Sequence, residues 1–101
     1  MTTTAESAGL GLDPVIHPAH RLRICATLVD ATEVEFATLR EVVGVSDSVL
    51  SKQLTALEEA GYVTIDKVAE GRRARTWVSG TAEGRRAFAR HRDALQVIAG
   101  P

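Results

Sequence analysis

The stretch from residue 36 to 62, FATLREVVGVSDSVLSKQLTALEEAGY, constrains the fold of this chain more than any other. It opens with a short helical pattern over 37–43, in which Leu39, Val42 and Val43 face inward. Gly44 follows where a left-handed stop is wanted, and Val45 plugs the turn. Ser46 is placed to cap the next helix, with Asp47 in its first turn favourable to the helix dipole. That helix runs to about residue 60, and Leu50, Leu54 and Leu57 recur on its inner face. At about 100° per residue, Ser48, Ser51, Lys52 and Thr55 lie on the far side, with Val49 and Gln53 at the borders. Gly61 ends it. Two helices joined by a tight Gly turn, the second one capped and polar outside, make a helix-turn-helix.

A basic hairpin comes next. Residues 62–68 alternate, with Val63 and Ile65 on one face and Thr64 and Asp66 on the other, so a strand is expected. A second strand over 75–79 carries Trp77 and Val78. The loop between them holds Gly71 and the arginines Arg72, Arg73 and Arg75. Upstream, Pro18 suits the first position of a helix reaching to about residue 31, with Leu22, Cys25, Leu28 and Val29 on its apolar face. Val34 to Phe36 is a short extended piece, and Thr81 can cap a last helix over 82–99. The expected fold is mainly α with a small β-hairpin, in the order α-β-α-α-β-β-α of a winged helix-turn-helix. Residues 1–11, rich in Thr, Ala, Ser and Gly, are expected as a flexible arm, 12–80 as the winged domain and 81–101 as a dimerisation helix.

Charge is informative only when read locally. The net charge of -1 argues by itself against a nucleic-acid partner. Yet residues 30–66 carry two basic and eight acidic side chains, and residues 67–92 carry eight basic and two acidic ones. Local positive charge is what meets phosphates. The end of a recognition helix that enters the major groove needs short polar side chains. Ser46, Asp47, Ser48, Ser51 and Lys52 supply them, Gln53 can pair with adenine, Val49 can touch a thymine methyl, and Thr55 continues the face. Arg72, Arg73 and Arg75 can lie along the backbone or enter a narrow minor groove. Double-stranded DNA is therefore the expected partner.

The last helix carries Gly84, Phe88, His91, Leu95 and Ile98 every three or four residues. With Leu12, Val15 and Ile16, this stripe is expected to pair with the same helix of a second copy, giving a homodimer with two reading heads.

Six segments resemble the MarR-like winged-helix transcriptional regulators, in the compact subgroup with one short C-terminal helix. They are LDPVIHP (12–18), RLRI (21–24), FATLR (36–40), LSKQL (50–54), LEEAGYV (57–63) and GRRARTWV (71–78). The arsenic-repressor family shares the middle pair, so the wing is the more specific part. The resemblance implies a homodimer on a pseudo-palindromic operator, with 46–55 in the major groove and Arg72 to Arg75 as the wing. It also implies a small aromatic effector in a cleft near the dimer interface, although four aromatic residues in the chain do not locate one. Two positions depart from the pattern. Val49 replaces a residue that is often polar, and Gly80 stands where relatives usually carry Leu. Loss of a buried Leu typically costs about 2–5 kcal/mol unless the site collapses, so a loosened joint between wing and last helix is expected.

Other chemistries find no support. Cys25 is the single cysteine, so no internal disulfide framework exists, and its apolar setting fits packing better than reactivity. His17 and His20 near Asp13 fit neutral surface histidines better than a metal site. No Gly-rich phosphate loop, nucleophile elbow or paired catalytic carboxylates occur, so no enzyme and no cofactor are expected. No apolar run matches a signal segment or a membrane span, and a cytoplasmic protein is expected. The leading function is a repressor, since a chain with no spare domain acts most simply by blocking an operator. Two alternatives remain: a winged-helix protein-interaction module, favoured by the acidic middle segment, and an architectural or partition-type DNA binder.

Overall fold

The first long helix, α1 (Ala19–Val29), is the centre of the molecule. The structure, a computed structural model, describes residues 9–100. The expected arm therefore falls largely outside the described residues. Helix α1 starts beside Pro18, whose carbonyl accepts from the Leu22 amide at 2.9 Å, and ends at Asp30. It buries Ile24, Cys25 and Leu28, while Leu22 and Val29 are half-buried. The buried arc is rotated and widened from the expected face because other elements pack round α1 on several sides.

Strand β1 (Val34–Glu35) leads directly into α2 (Phe36–Val43). Leu39 is fully buried and Val43 packs against the core, but Val42 is 40% exposed rather than inward. Gly44 stops α2 at φ 75°, a conformation that costs a Cβ-bearing residue energy, and its amide donates to the Arg40 carbonyl at 2.8 Å. Helix α3 (Asp47–Glu59) follows, and Leu50, Leu54 and Leu57 are buried as its spacing requires.

Strands β2 (Val63–Glu70) and β3 (Arg73–Gly80) pair along their whole length, from Val63 opposite Gly80 to Glu70 opposite Arg73. The antiparallel sheet has the order β1-β3-β2, with Val34 opposite Val78 and Glu35 opposite Trp77. The hairpin is longer than expected and its turn is only Gly71 and Arg72. Gly71 at φ 62° takes the positive-φ place of a two-residue turn. Arg73 and Arg75 thus belong to a strand, not to a loop.

Helix α4 (Ala82–Ala99) closes the domain. Thr81 caps it, accepting from the Gly84 amide at 2.9 Å and donating to the Gly61 carbonyl at 2.7 Å. The Thr81 amide donates to the Tyr62 carbonyl at 3.0 Å, and Arg85 donates to the Gly80 carbonyl at 2.9 Å. These four bonds close the joint at Gly80. A Cβ built on Gly80 would sit 3.5 Å from the Leu28 Cβ, so Leu28 packs directly against this position. The joint where looseness was expected is held by these bonds and by Leu28.

The stripe assigned to dimer contact divides. Ile16 and His91 are fully buried within their own chain, which corrects their assignment to an interface. Ile16 joins the core beside α1, where the segment before Pro18 folds back over the domain. His91 is held by polar partners from that same segment. Its Nδ1 accepts from the Asp13 amide at 2.9 Å. A backbone amide can only donate, so the ring proton sits on Nε2, which donates to Nδ1 of His17 at 3.4 Å. Asp13 also accepts from the Tyr62 hydroxyl at 2.5 Å and from the Val15 amide at 2.8 Å. His91 is thus no surface histidine. The remaining stripe residues have surface to offer: Leu12, Val15, Phe88 and Leu95 are half-buried, and Ile98 is 48% exposed.

Candidate nucleic-acid interface

The outward face of α3 is held by its own cap. The Ser46 hydroxyl accepts from the Val49 amide at 3.3 Å and lies 3.3 Å from the Ser48 hydroxyl. Ser46, Asp47, Ser48, Ser51, Lys52 and Thr55 are exposed, and Val49 and Gln53 are half-buried at the margins. The Thr55 hydroxyl donates to the Ser51 carbonyl at 2.9 Å, leaving its methyl and a lone pair outward. Buried Leu50, Leu54 and Leu57 fix the rotation of the helix about its axis, so these polar groups cannot turn inward.

The hairpin stands beside this face. One cleft is lined by Asp47, Ser51, Thr55 and Glu58 of α3, by Phe36, and by Ile65, Lys67 and Thr76 of the hairpin. Arg72 in the turn and Arg73 in the last pair are exposed at the hairpin end. The third arginine behaves differently. Nε of Arg75 lies 3.4 Å from a carboxylate oxygen of Glu35 and 3.7 Å from one of Glu70.

Arg40 is the residue that sequence reasoning missed. It reaches from α2 to the first residue of α3, where its guanidinium donates to Asp47 at 2.8 Å. That hydrogen bond and charge raise the Arg40 pKa above its ordinary value. Its sequence signal is an arginine in the last turn of the first helix with an acid opening the second. The turn at Gly44 brings the two together.

Away from this face, burial pushes the Cys25 thiol up to about 11, which suits packing and not nucleophilic work. Burial also lowers the His91 pKa, with His17 adding to the effect. No group of three or more metal-binding side chains occurs among the described residues. No helix among them is long and apolar enough to cross a membrane.

A capped polar helix and an arginine-ended hairpin bordering one cleft form the geometry of a winged helix. The family described as "Winged helix DNA-binding domain" matches residues 20–99, most of the chain. The chain belongs to that family. This winged helix has no significant match among curated proteins of known function. Its fold is shared with solved structures at low identity. A transcriptional regulator homologue from Pyrococcus horikoshii OT3 is 23% identical with a TM-score of 0.83, over 94% of each chain. A regulator of the MarR family from Enterococcus faecalis V583 is 23% identical, with a TM-score of 0.71 over 98% of this chain and 84% of the other. A MarR-family regulator from Silicibacter pomeroyi is 26% identical, with a TM-score of 0.59 over 96% of this chain and 64% of the other. The chain thus shares its fold with regulators of the MarR family.

Proposed function

We propose that this winged-helix DNA-binding regulator acts as a sequence-specific homodimeric repressor on a pseudo-palindromic operator. The observation that supports the reading is one cleft lined both by Asp47, Ser51 and Thr55 of α3 and by Ile65, Lys67 and Thr76 of the hairpin that carries the arginines. In this reading the N-terminal part of α3, with Ser46, Ser48, Ser51 and Lys52, enters the major groove, and Gln53 and Val49 contact base edges at its margins. Thr55 and Asp47 border the same groove. Arg72 and Arg73 meet phosphates or a narrow minor groove.

The dimer is supported by apolar surface at the end of the fold. Val97 is 86% exposed, and Ile98 and Leu10 are also open to solvent. Leu12, Val15, Phe88 and Leu95 extend that surface inward. The distal half of α4 is thus the proposed pairing element, while its proximal half, with buried Gly84, Ala87 and His91, belongs to the winged domain. NadR, a further structural neighbour at 22% identity and TM-score 0.69, was solved with 4-hydroxyphenylacetate. A cleft lined by Leu12, Asp13, Val15, Tyr62 and Arg90 is the proposed place for a small-molecule effector. Action on an operator places the protein in the cytoplasm.

A gel-shift series on the promoter region of its own gene, repeated at several salt concentrations, tests the reading. Retardation that weakens with salt is expected, and no retardation of any duplex at low salt refutes it. A protein-interaction role is favoured by the acidic residues around the cleft, Asp47 and Glu58. Arg72→Ala with Arg73→Ala separates the two, because only the DNA reading predicts a shallower salt slope.

A further inference from the structure

Of the three ion pairs among the described residues, one lies at the entry of α3 and two lie on the hairpin, on the strand face opposite the cleft-lining Lys67 and Thr76. Together they take two arginines, Arg40 and Arg75, that could otherwise neutralise phosphates. Arg40 is bound by Asp47 at the entry of α3. Arg75 sits on β3, the middle strand of the sheet, between Glu35 of β1 and Glu70 of β2. The register explains the placement. Glu35 pairs with Trp77 and Glu70 with Arg73, so both acids are diagonal neighbours of Arg75.

The Arg40–Asp47 pair is exposed and contributes little to folding stability, and the Arg75 pairs are only partly shielded from water. Carboxylates at the entry of α3 and on the hairpin also oppose the approach of a polyanion. Attraction to DNA would be stronger without them.

We infer that Asp47, Glu35 and Glu70 are specificity-determining residues, which restrain sequence-blind attraction by holding Arg40 and Arg75 within the chain. The inference rests on the DNA-binding reading and deepens it. Phosphate contacts supply most non-specific affinity, and each one contributes to the salt dependence. A face that withholds two of its arginines binds arbitrary duplexes weakly. Base contacts from α3 then make up a larger share of the binding energy at the right site. Arg72, Arg73 and Lys52 remain as the cations that meet the backbone.

The test measures fluorescence anisotropy of a labelled duplex of arbitrary sequence across a salt series. Wild type is compared with Asp47→Asn, with Glu35→Gln plus Glu70→Gln, and with all three combined. Each released arginine should steepen the slope of log K against log salt by about 0.9 per subunit, and tighten non-specific binding roughly fivefold to tenfold near 0.1 M salt. Arg40→Gln and Arg75→Gln in the wild-type background should leave the slope unchanged, whereas Arg72→Gln should reduce it. Thermal unfolding of each variant confirms that the fold is intact. A triple variant with wild-type slope and affinity overturns the inference and leaves DNA binding standing. An Arg40→Gln or Arg75→Gln slope loss equal to that of Arg72→Gln also overturns it. Failure of the wild type to bind any duplex removes the inference together with the reading beneath it.

Discussion

Adding one methyl group at Gly84 should destabilise the fold, although the same change usually stabilises a helix. Gly84 lies in the first turn of α4 and is buried against the start of β2. A Cβ there would collide with the Tyr62 carbonyl oxygen and stand 3.0 Å from the Tyr62 carbonyl carbon and Cα. These are backbone atoms, and the carbonyl is already fixed by the Thr81 amide at 3.0 Å. Alanine brings up to about 1 kcal/mol of helix propensity over glycine. Against it stand overpacking, at about 1–3 kcal/mol, and strain on a buried hydrogen bond, at about 0.5–1.5 kcal/mol. The expected net effect of Gly84→Ala is therefore a loss of about 1–3 kcal/mol. For a domain of this size that lowers Tm by roughly 5–20 °C. The control is Gly80→Ala, four residues away. Its new Cβ meets the Leu28 Cβ at 3.5 Å, an ordinary contact. Gly80→Ala should stabilise by about 0.4–1 kcal/mol through the unfolded chain. Urea and thermal unfolding at several protein concentrations read both variants and separate folding from association. A Gly84→Ala protein as stable as wild type would show that α4 slides freely over Tyr62, and would refute the account of the joint.

Acid should weaken the fold through His91. Its folded pKa lies below the unfolded value of about 6.5, so its contribution is intact above that value and is lost as pH falls through the folded pKa. Denaturation midpoints between about pH 8 and 5 should fall towards acid, and His91→Asn, which keeps an acceptor for the Asp13 amide, should flatten that fall; an unchanged slope would contradict it. Thr81→Ala removes both a cap and the bond to Gly61, with an expected loss of about 1–2 kcal/mol in urea unfolding. Tyr62→Phe leaves one oxygen of Asp13 without its partner and should cost about 0.5–1.5 kcal/mol. A Tyr62 hydroxyl that titrates at its ordinary pKa of about 10, and not near the 12 to which burial and Asp13 raise it, would argue against that bond.

Much of the recognition unit is legible in the chain because its signals are local. Ser46, Gly44 and the Leu50, Leu54, Leu57 spacing each act within one or two turns, and the helices follow them. Thr81 marks the start of α4 in the same way. The hairpin is less legible. From Asp66 to Arg75 every residue is exposed, so neither face carries the apolar alternation that betrays a strand. Its length comes from backbone pairing, which amino-acid pattern does not report. Helix α1 is misjudged at Ile24 because a one-faced pattern presumes a single neighbour. His91 falls within an apolar spacing and reads as part of a surface stripe. Only the folding-back of residues 12–17 reveals its partner Asp13. Arg40 and Asp47 are seven residues apart on different helices, a distance meaningful only once the turn between them is formed.

The bond between Asp13 and His91 joins residues 78 positions apart. A chain emerging from the ribosome reaches Asp13 early and His91 late. Throughout that interval Ile16 lacks the lid of α4, and the His91 acceptor does not yet exist. The early segment must wait exposed, or be shielded by a chaperone, until the last helix arrives. Because the same Asp13 holds Tyr62, directly after α3, closure of the winged head waits until residue 91 has been made. A truncated product ending before residue 91 would lack this closure, and it would be a candidate for proteolysis rather than a half-active competitor for the operator.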